Sequence, residues 1–183
     1  MSAAYIRNAD IGDLPTIRAL YAHHVEHSLG TFEEIAPTLE EMTRRWQSVT
    51  DAGLPYLACE VDGAVVGYSY AGLYRPRHAY RFSVEDSVYV SPDHARRGYG
   101  QLLLSALIDR CTLLGYRQMI AVIGDSGNAS SIGLHGALGF AKIGSFPSIG
   151  FKQNRWVDVM LMQRALGDGD ATPPVDRDTA AMA

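Results

Sequence analysis

The chain has 183 residues, 47% of them hydrophobic and 20% charged, the balance expected of one globular domain with a single sizeable core. Its formal net charge is −4 and no basic block interrupts it, so a nucleic-acid backbone partner has no electrostatic support. No apolar run nears the roughly 18 residues of a membrane span and no apolar signal-peptide core opens the chain, so a cytosolic protein is expected.

Residues 5–7 predict a short strand, after which Asp10 can cap a helix whose apolar positions Ile17, Leu20, Tyr21 and Val25 recur at helical spacing. Within it His23, His24 and His27 form HHVEH. His23 and His27 share a face, but the order differs from HExxH and the sequence offers no third ligand, so no metal is expected. Thr38, with Glu41 three residues on, reads as a capping box opening a second helix that runs through Trp46 toward Gly53. Two strands, 56–61 and 64–70, flank Asp62-Gly63, a dipeptide suited to a two-residue hairpin turn. Cys59 in the first of these strands and Cys111 further on have no metal-site or redox spacing and read as reduced structural thiols.

Residues 81–91, RFSVEDSVYVS, alternate as a strand with Glu85, Ser87 and Tyr89 on one face and Val84, Asp86, Val88 and Val90 on the other. Pro92 ends it, and a loop containing Gly98 and Gly100 feeds an apolar helix from about Gln101 to Leu114, closed by Gly115. Residues 119–123, MIAVI, predict a buried strand. Asn128 or Ser130 can start another helix ending at Gly139, and two strands follow, the last over 156–162. The predicted order is β-α-α-β-β-β-α-β-α-β-β. From residue 167 the composition turns to Pro, Asp and small residues, so a domain over 1–166 and a disordered tail over 167–183 are expected.

Residues 88–100, VYVSPDHARRGYG, pass from a strand through a Gly-containing turn into a helix, which exposes backbone N–H groups at the positive end of a helix dipole. Arg96 and Arg97 add cationic charge there. The spacing is neither GxxxxGK[ST] nor GxGxxG, which excludes the two common nucleotide loops.

VYVSP, ARRGYG with its apolar helix, AVI, Asn128 and LHGALGF together resemble the GNAT superfamily of N-acetyltransferases. Ala95 stands where the family motif has Gln or Arg, which removes one side-chain contact and keeps the backbone cradle. Over residues 4–166 the chain is similar to the phosphinothricin and methionine sulfoximine N-acetyltransferases, through GTFEE, AYRFSVEDSVYVSP, AVIG, LHGALGF and GFKQNRWVDV. The resemblance implies an α/β fold with a mixed, mainly antiparallel sheet of about seven strands. Helices would lie on both faces, and the sheet would split near Val90 and Ile123 to admit the pantetheine of acetyl-CoA. It also implies a pantetheine arm along Val88, Tyr89 and Val90, a pyrophosphate on Arg96, Arg97, Gly98, Tyr99, Gly100 and Gln101, and a contact from Asn128.

Acetylating an amine requires a base for the ammonium proton, donors for the developing oxyanion and an acid or stabiliser for the departing thiolate. The resemblance places Glu85, the first candidate base, in the acceptor pocket and His135 where the family carries a proton donor; the sequence does not assign the principal base between the two, and Asp86, on the opposite face, reads as a structural carboxylate. Residues 74–80 offer guanidiniums and phenols suited to an anionic acceptor. Of these, Arg75, Arg77, His78, Ala79 and Tyr80 are the expected acceptor contacts, with Phe32 covering the acceptor side chain. A homodimer, with the 156–162 strand contributing to the interface, is the implied assembly. The rival functions are acetylation of a protein or peptide amine and a non-catalytic acyl-CoA sensor.

Overall fold

The computed structural model describes residues 4–175. Seven strands form one sheet in the order β1-β2-β3-β4-β5-β7-β6. These are β1 (Ala4–Asn8), β2 (Tyr56–Val61), β3 (Ala64–Leu73), β4 (Ser83–Val90), β5 (Gln118–Gly124), β6 (Ala141–Lys152) and β7 (Arg155–Ala165). The helices are α1 (Leu14–His27), α2 (Leu39–Asp51), α3 (Tyr99–Leu113) and α4 (Ala129–Ala137). The predicted element order and fold class hold. Every strand pairing is antiparallel except β4 with β5.

Period-two alternation divides the sheet between two helical layers. On β2, Leu57, Cys59 and Val61 join the core under α3, where Leu103, Leu104, Leu107, Ile108 and Cys111 form a helical stripe. Tyr56 and Ala58 face the other way, to Ile17, Tyr21 and Val25 of α1 and Met42 of α2. Both cysteines are buried in the core under α3.

Local chemistry sets the element ends. Asp62 and Gly63 adopt φ of 51° and 79°, the positive values of the hairpin turn between β2 and β3. Asp10 caps a 3-10 turn over Ile11–Asp13, and α1 follows it directly. Asp13 closes that cap from its far end while its carboxylate takes both Arg7 Nη atoms, at 2.6 and 2.7 Å. Thr38 Oγ1 accepts the Glu41 N–H at 3.1 Å, but the Glu41 carboxylate turns to Arg44 and Arg45, so half of the expected capping box forms.

The 156–162 segment lies in β7, which is paired on both sides, by β5 and β6, and buries Val157, Val159 and Met162, while β1 and β6 form the two edges of the sheet. Residues 167–175 make turns tied to Arg117, which donates to Gly169 O at 3.3 Å and Thr172 Oγ1 at 3.1 Å and pairs with Asp168 at 3.7 Å. The remainder of the expected tail, 176–183, lies outside the described residues.

Truncation after Gly167 should therefore lower the thermal midpoint by a few degrees, because Arg117 loses interactions worth on the order of 1 kcal/mol. Truncation after Val175 keeps them. Differential scanning calorimetry of the two truncations checks this, and equal midpoints would show that the turns add nothing.

Candidate functional site

The site grows from a break in the sheet. β4 and β5 pair only at Ser83–Gln118, Val84–Met119 and Glu85–Ile120. Beyond that, β4 stays paired with β3 as far as Val90 and β5 stays paired with β7 as far as Gly124, so the two arms of a fork face each other. The Ser91 N–H donates to Val66 O, on the β3 side. Since N–H and C=O directions alternate along a strand, Val88 and Val90 present theirs to the fork.

At the fork's mouth the chain turns into α3. Arg96 and Gly98 adopt φ of 59° and 87°, and Gly98 is the N-cap with no side chain over the helix end. The first amide to bond back into the helix is Leu102, to Gly98 O, which leaves those of Tyr99, Gly100 and Gln101 without helical acceptors. Exposed Arg96 and Arg97 flank them. Gly100 packs against α4, where a Cβ would lie 3.3 Å from Leu134. The loop thus offers amides, a helix dipole and two guanidiniums to a phosphate. Asn128 caps α4 through its Oδ1, which takes the Ser131 N–H and the Ser130 hydroxyl, both at 3.1 Å; its Nδ2 lies beside Gly30.

Two carboxylates stand at the base of the fork. Glu85 is half-buried on the α1–α2 side, and burial together with neighbouring Asp86 raises its pKa, against the pull of Arg75. Its partner on β3 is Gly72, where a Cβ would meet nothing within 4 Å, so the space beside the carboxylate is open. Asp86 is buried on the opposite face, as the alternation requires, and its Oδ2 lies 2.9 Å from His135 Nε2. His135 Nδ1 is 2.7 Å from Ser131 O. Both ring nitrogens therefore face oxygen atoms, an arrangement that suits an imidazolium protonated on both nitrogens. Burial alone would lower the pKa of this histidine, but the Asp86 bond and charge, with the Ser131 carbonyl, raise it.

Sequence reasoning separated Asp86 from His135, and the structure pairs them. The signal was present: an acid on an otherwise apolar strand face needs a partner. The expected acceptor residues sit on the loop between β3 and β4, where His78–Tyr80 forms a 3-10 turn. Arg75, Arg77, His78, Ala79 and Tyr80 are all exposed there. Arg75 lies 5.0 Å over the Tyr74 ring, and Tyr74 meets Tyr80 edge-on.

The end of α1 and the loop after it bridge both arms of the fork. His24 Nε2 is 3.0 Å from Val90 O on β4, a contact the sequence did not single out. At the end of β5, Gly124 lies so close to this loop that a Cβ would fall 2.2 Å from Leu29 O. Further on, Phe32 is partly exposed and rests on Gly150 of β6. His23 and His27 stack on each other, and His27 Nδ1 lies 3.0 Å from His23 O. Among the described residues no group of three His, Cys, Asp or Glu gathers as a metal site, nor is any helix long and apolar enough to cross a membrane.

Residues 6–161 match the acetyltransferase (GNAT) domain. A phosphinothricin N-acetyltransferase of Alcaligenes faecalis is 52% identical over 94% of this chain and 87% of its own. An L-methionine sulfoximine/L-methionine sulfone acetyltransferase of Pseudomonas aeruginosa is 39% identical over 93% of this chain and 99% of its own. The crystal structure of a phosphinothricin acetyltransferase from Sinorhizobium meliloti in complex with acetyl-CoA superposes with a TM-score of 0.93. It is 47% identical and covers 97% of this chain and 95% of that one.

The buried pair has a measurable signature. Because the folded pKa of His135 lies above its unfolded value, the stability it contributes is full below the unfolded value and is lost as pH rises through the folded one. In an NMR titration the His135 ring should titrate above an ordinary histidine, and Asp86→Asn should bring its midpoint down by about one unit or more. An unmoved midpoint in that variant would mean the Asp86 contact does not hold the charge.

Proposed function

The chain belongs to the GNAT acetyltransferase family, and from that premise we propose that it transfers an acetyl group from acetyl-CoA to the amine of a small amino-acid-like acceptor of the phosphinothricin or methionine sulfoximine type. The observation that carries this reading is the open fork between β4 and β5, which ends in a phosphate-ready loop and has a half-buried carboxylate at its base.

Acetyl-CoA supplies the acetyl group as a thioester. The amides of residues 96–101 and the Arg96 and Arg97 guanidiniums suit its pyrophosphate. Val88 and Val90 have fork-facing backbone groups for the pantetheine arm, with Tyr89 between them, and the Asn128 amide nitrogen is left for the same arm. In this proposal Arg75, Arg77, His78, Ala79 and Tyr80 receive the acceptor, its anionic group paired with guanidinium and phenol, while Phe32 covers its side chain. An acceptor roofed in this way is a small molecule rather than a length of peptide.

Glu85 takes the ammonium proton, and its raised pKa makes it a better base than an ordinary carboxylate. Backbone N–H groups along residues 88–90 face the oxygen on which negative charge develops. His135, protonated on both nitrogens through Ser131 and Asp86, has no free lone pair for the first proton. It acts as the positive charge that favours departure of the thiolate, which makes Asp86 its positioning residue.

The acting species in this proposal is a homodimer. β6 is a 12-residue edge strand exposing Ile143, Phe146, Ile149 and Phe151, with Trp156 beside them on β7. An apolar free edge of that length invites pairing, and a second copy of the same strand is its self-complementary partner. Sedimentation should give a dimer at micromolar concentration; a monomer would remove this part of the proposal.

Glu85→Gln is the decisive test of the chemistry. The amide keeps size and hydrogen bonding but accepts no proton, so turnover should fall roughly 10²-fold or more while acetyl-CoA affinity persists. The wild-type rate should rise with pH along a limb above the usual carboxylate range, and that limb should vanish in the variant. Wild-type turnover by Glu85→Gln would overturn Glu85 as base, and loss of acetyl-CoA binding would make it a structural carboxylate.

A further inference from the structure

Lys152 is 3% exposed at the end of an edge strand whose apolar residues Ile149 and Phe151 are 55% and 54% exposed. A lysine buried where its aliphatic neighbours are not is held there by something specific. Its Nζ donates to Ser28 O at 2.9 Å and to Thr31 O at 2.8 Å, two carbonyls of the loop after α1. Among the described residues no carboxylate pairs with it directly: burial lowers its pKa, and Glu34 and Glu33 oppose that only through space.

Gly150, two residues earlier on the regular end of the β6–β7 ladder, shares a strand face with Lys152. A Cβ there would lie 2.2 Å from Phe32 Cε2 and 2.7 Å from Phe32 Cδ2. Its φ is outside the positive range, so glycine is needed for room and not for a turn. The ammonium therefore fixes the backbone that leads into Phe32, and the bare Gly150 backbone is the floor on which the ring lies. Tyr21, bonded to Thr31 Oγ1 at 3.0 Å, holds the loop from the α1 side.

We propose that Lys152 and Gly150 are positioning residues that set acceptor selectivity by seating Phe32 at one fixed height over the acceptor. The inference rests on Phe32 as the acceptor's cover. Neither residue touches the reacting atoms, and both lie on a strand separated from β4 by β7 and β5. They would act on the acceptor and not on acetyl-CoA.

The test is Gly150→Ala, whose methyl group displaces the far end of one side chain and leaves the backbone alone. Phosphinothricin, methionine sulfoximine and methionine sulfone serve as the acceptor panel. The variant should raise the acceptor KM on the order of tenfold, as loss of one apolar contact face does, and change the order of kcat/KM across the panel, with the KM for acetyl-CoA unmoved. In a Phe32→Ala background the same substitution should change acceptor KM by less than about twofold. Lys152→Met should reproduce the acceptor effect and speed hydrogen exchange of residues 28–33, and Lys152→Arg should recover part of both. Should Lys152→Met not fold, the Gly150→Ala measurements decide alone. Unchanged acceptor kinetics in Gly150→Ala, an equal rise in KM for both substrates, or full additivity with Phe32→Ala overturns the proposal and leaves the acetyltransferase reading intact. A wild-type protein inactive on the whole panel overturns the acceptor reading and the selectivity claim with it, while hydrogen exchange would still report whether Lys152 holds the loop.

Discussion

Backbone N–H and C=O groups withdrawn from water must find partners, and between β4 and β5 the ladder that would supply them stops after three residue pairs. Each arm remains fully paired on its outer side, so the break is held open by the rest of the sheet and does not close by collapse. The fork is a gap between two paired strands, lined by their backbone groups. A ligand that is itself a chain of amides, as pantetheine is, matches it, and a phosphate-ready helix end at the mouth matches the other end of the same ligand.

Sheet parity then distributes the chemistry. Adjacent residues Glu85 and Asp86 point to opposite faces and so meet different surroundings. Glu85 looks across to Gly72 and open space, where burial makes its proton affinity useful. Asp86 is enclosed and paired with His135 of α4, which raises the pKa of that buried histidine. Two carboxylates one residue apart thus meet opposite surroundings, one beside open space and one bonded to a buried histidine.

The end of α1 and the loop after it span both arms of the fork. The last turn of α1 touches β4 through His24, and the loop touches β5 through Gly124 and β6 through Lys152 and Gly150. These contacts come from strands widely separated in the sequence, so the position of the loop is a property of the whole sheet. Because β6 is also the exposed apolar edge, a partner covering that edge would stiffen the same strand that seats Phe32.

Local physics made much of this legible in advance. The Asp62-Gly63 turn, the Asn128 cap, the alternating faces of β4 and the strand-to-helix loop at 91–100 follow from residue types and short spacings, and the structure keeps all of them. The motif resemblance extended this to the family and to the choice of Glu85 and His135. Longer-range relations were decided by packing. Nothing within HHVEH marks His24, rather than its neighbours, as the one that reaches Val90. The 156–162 segment reads as a strand, but only the sheet determines that it lies between β5 and β6. The turns at 167–175 have almost nothing to bury and are ordered through the Arg117 side chain, 52 residues from Gly169. The Lys152 and Asp86 partnerships join elements 121 and 49 residues apart. Spacing along the chain determines which face a side chain occupies, whereas only the closed sheet determines what stands opposite it.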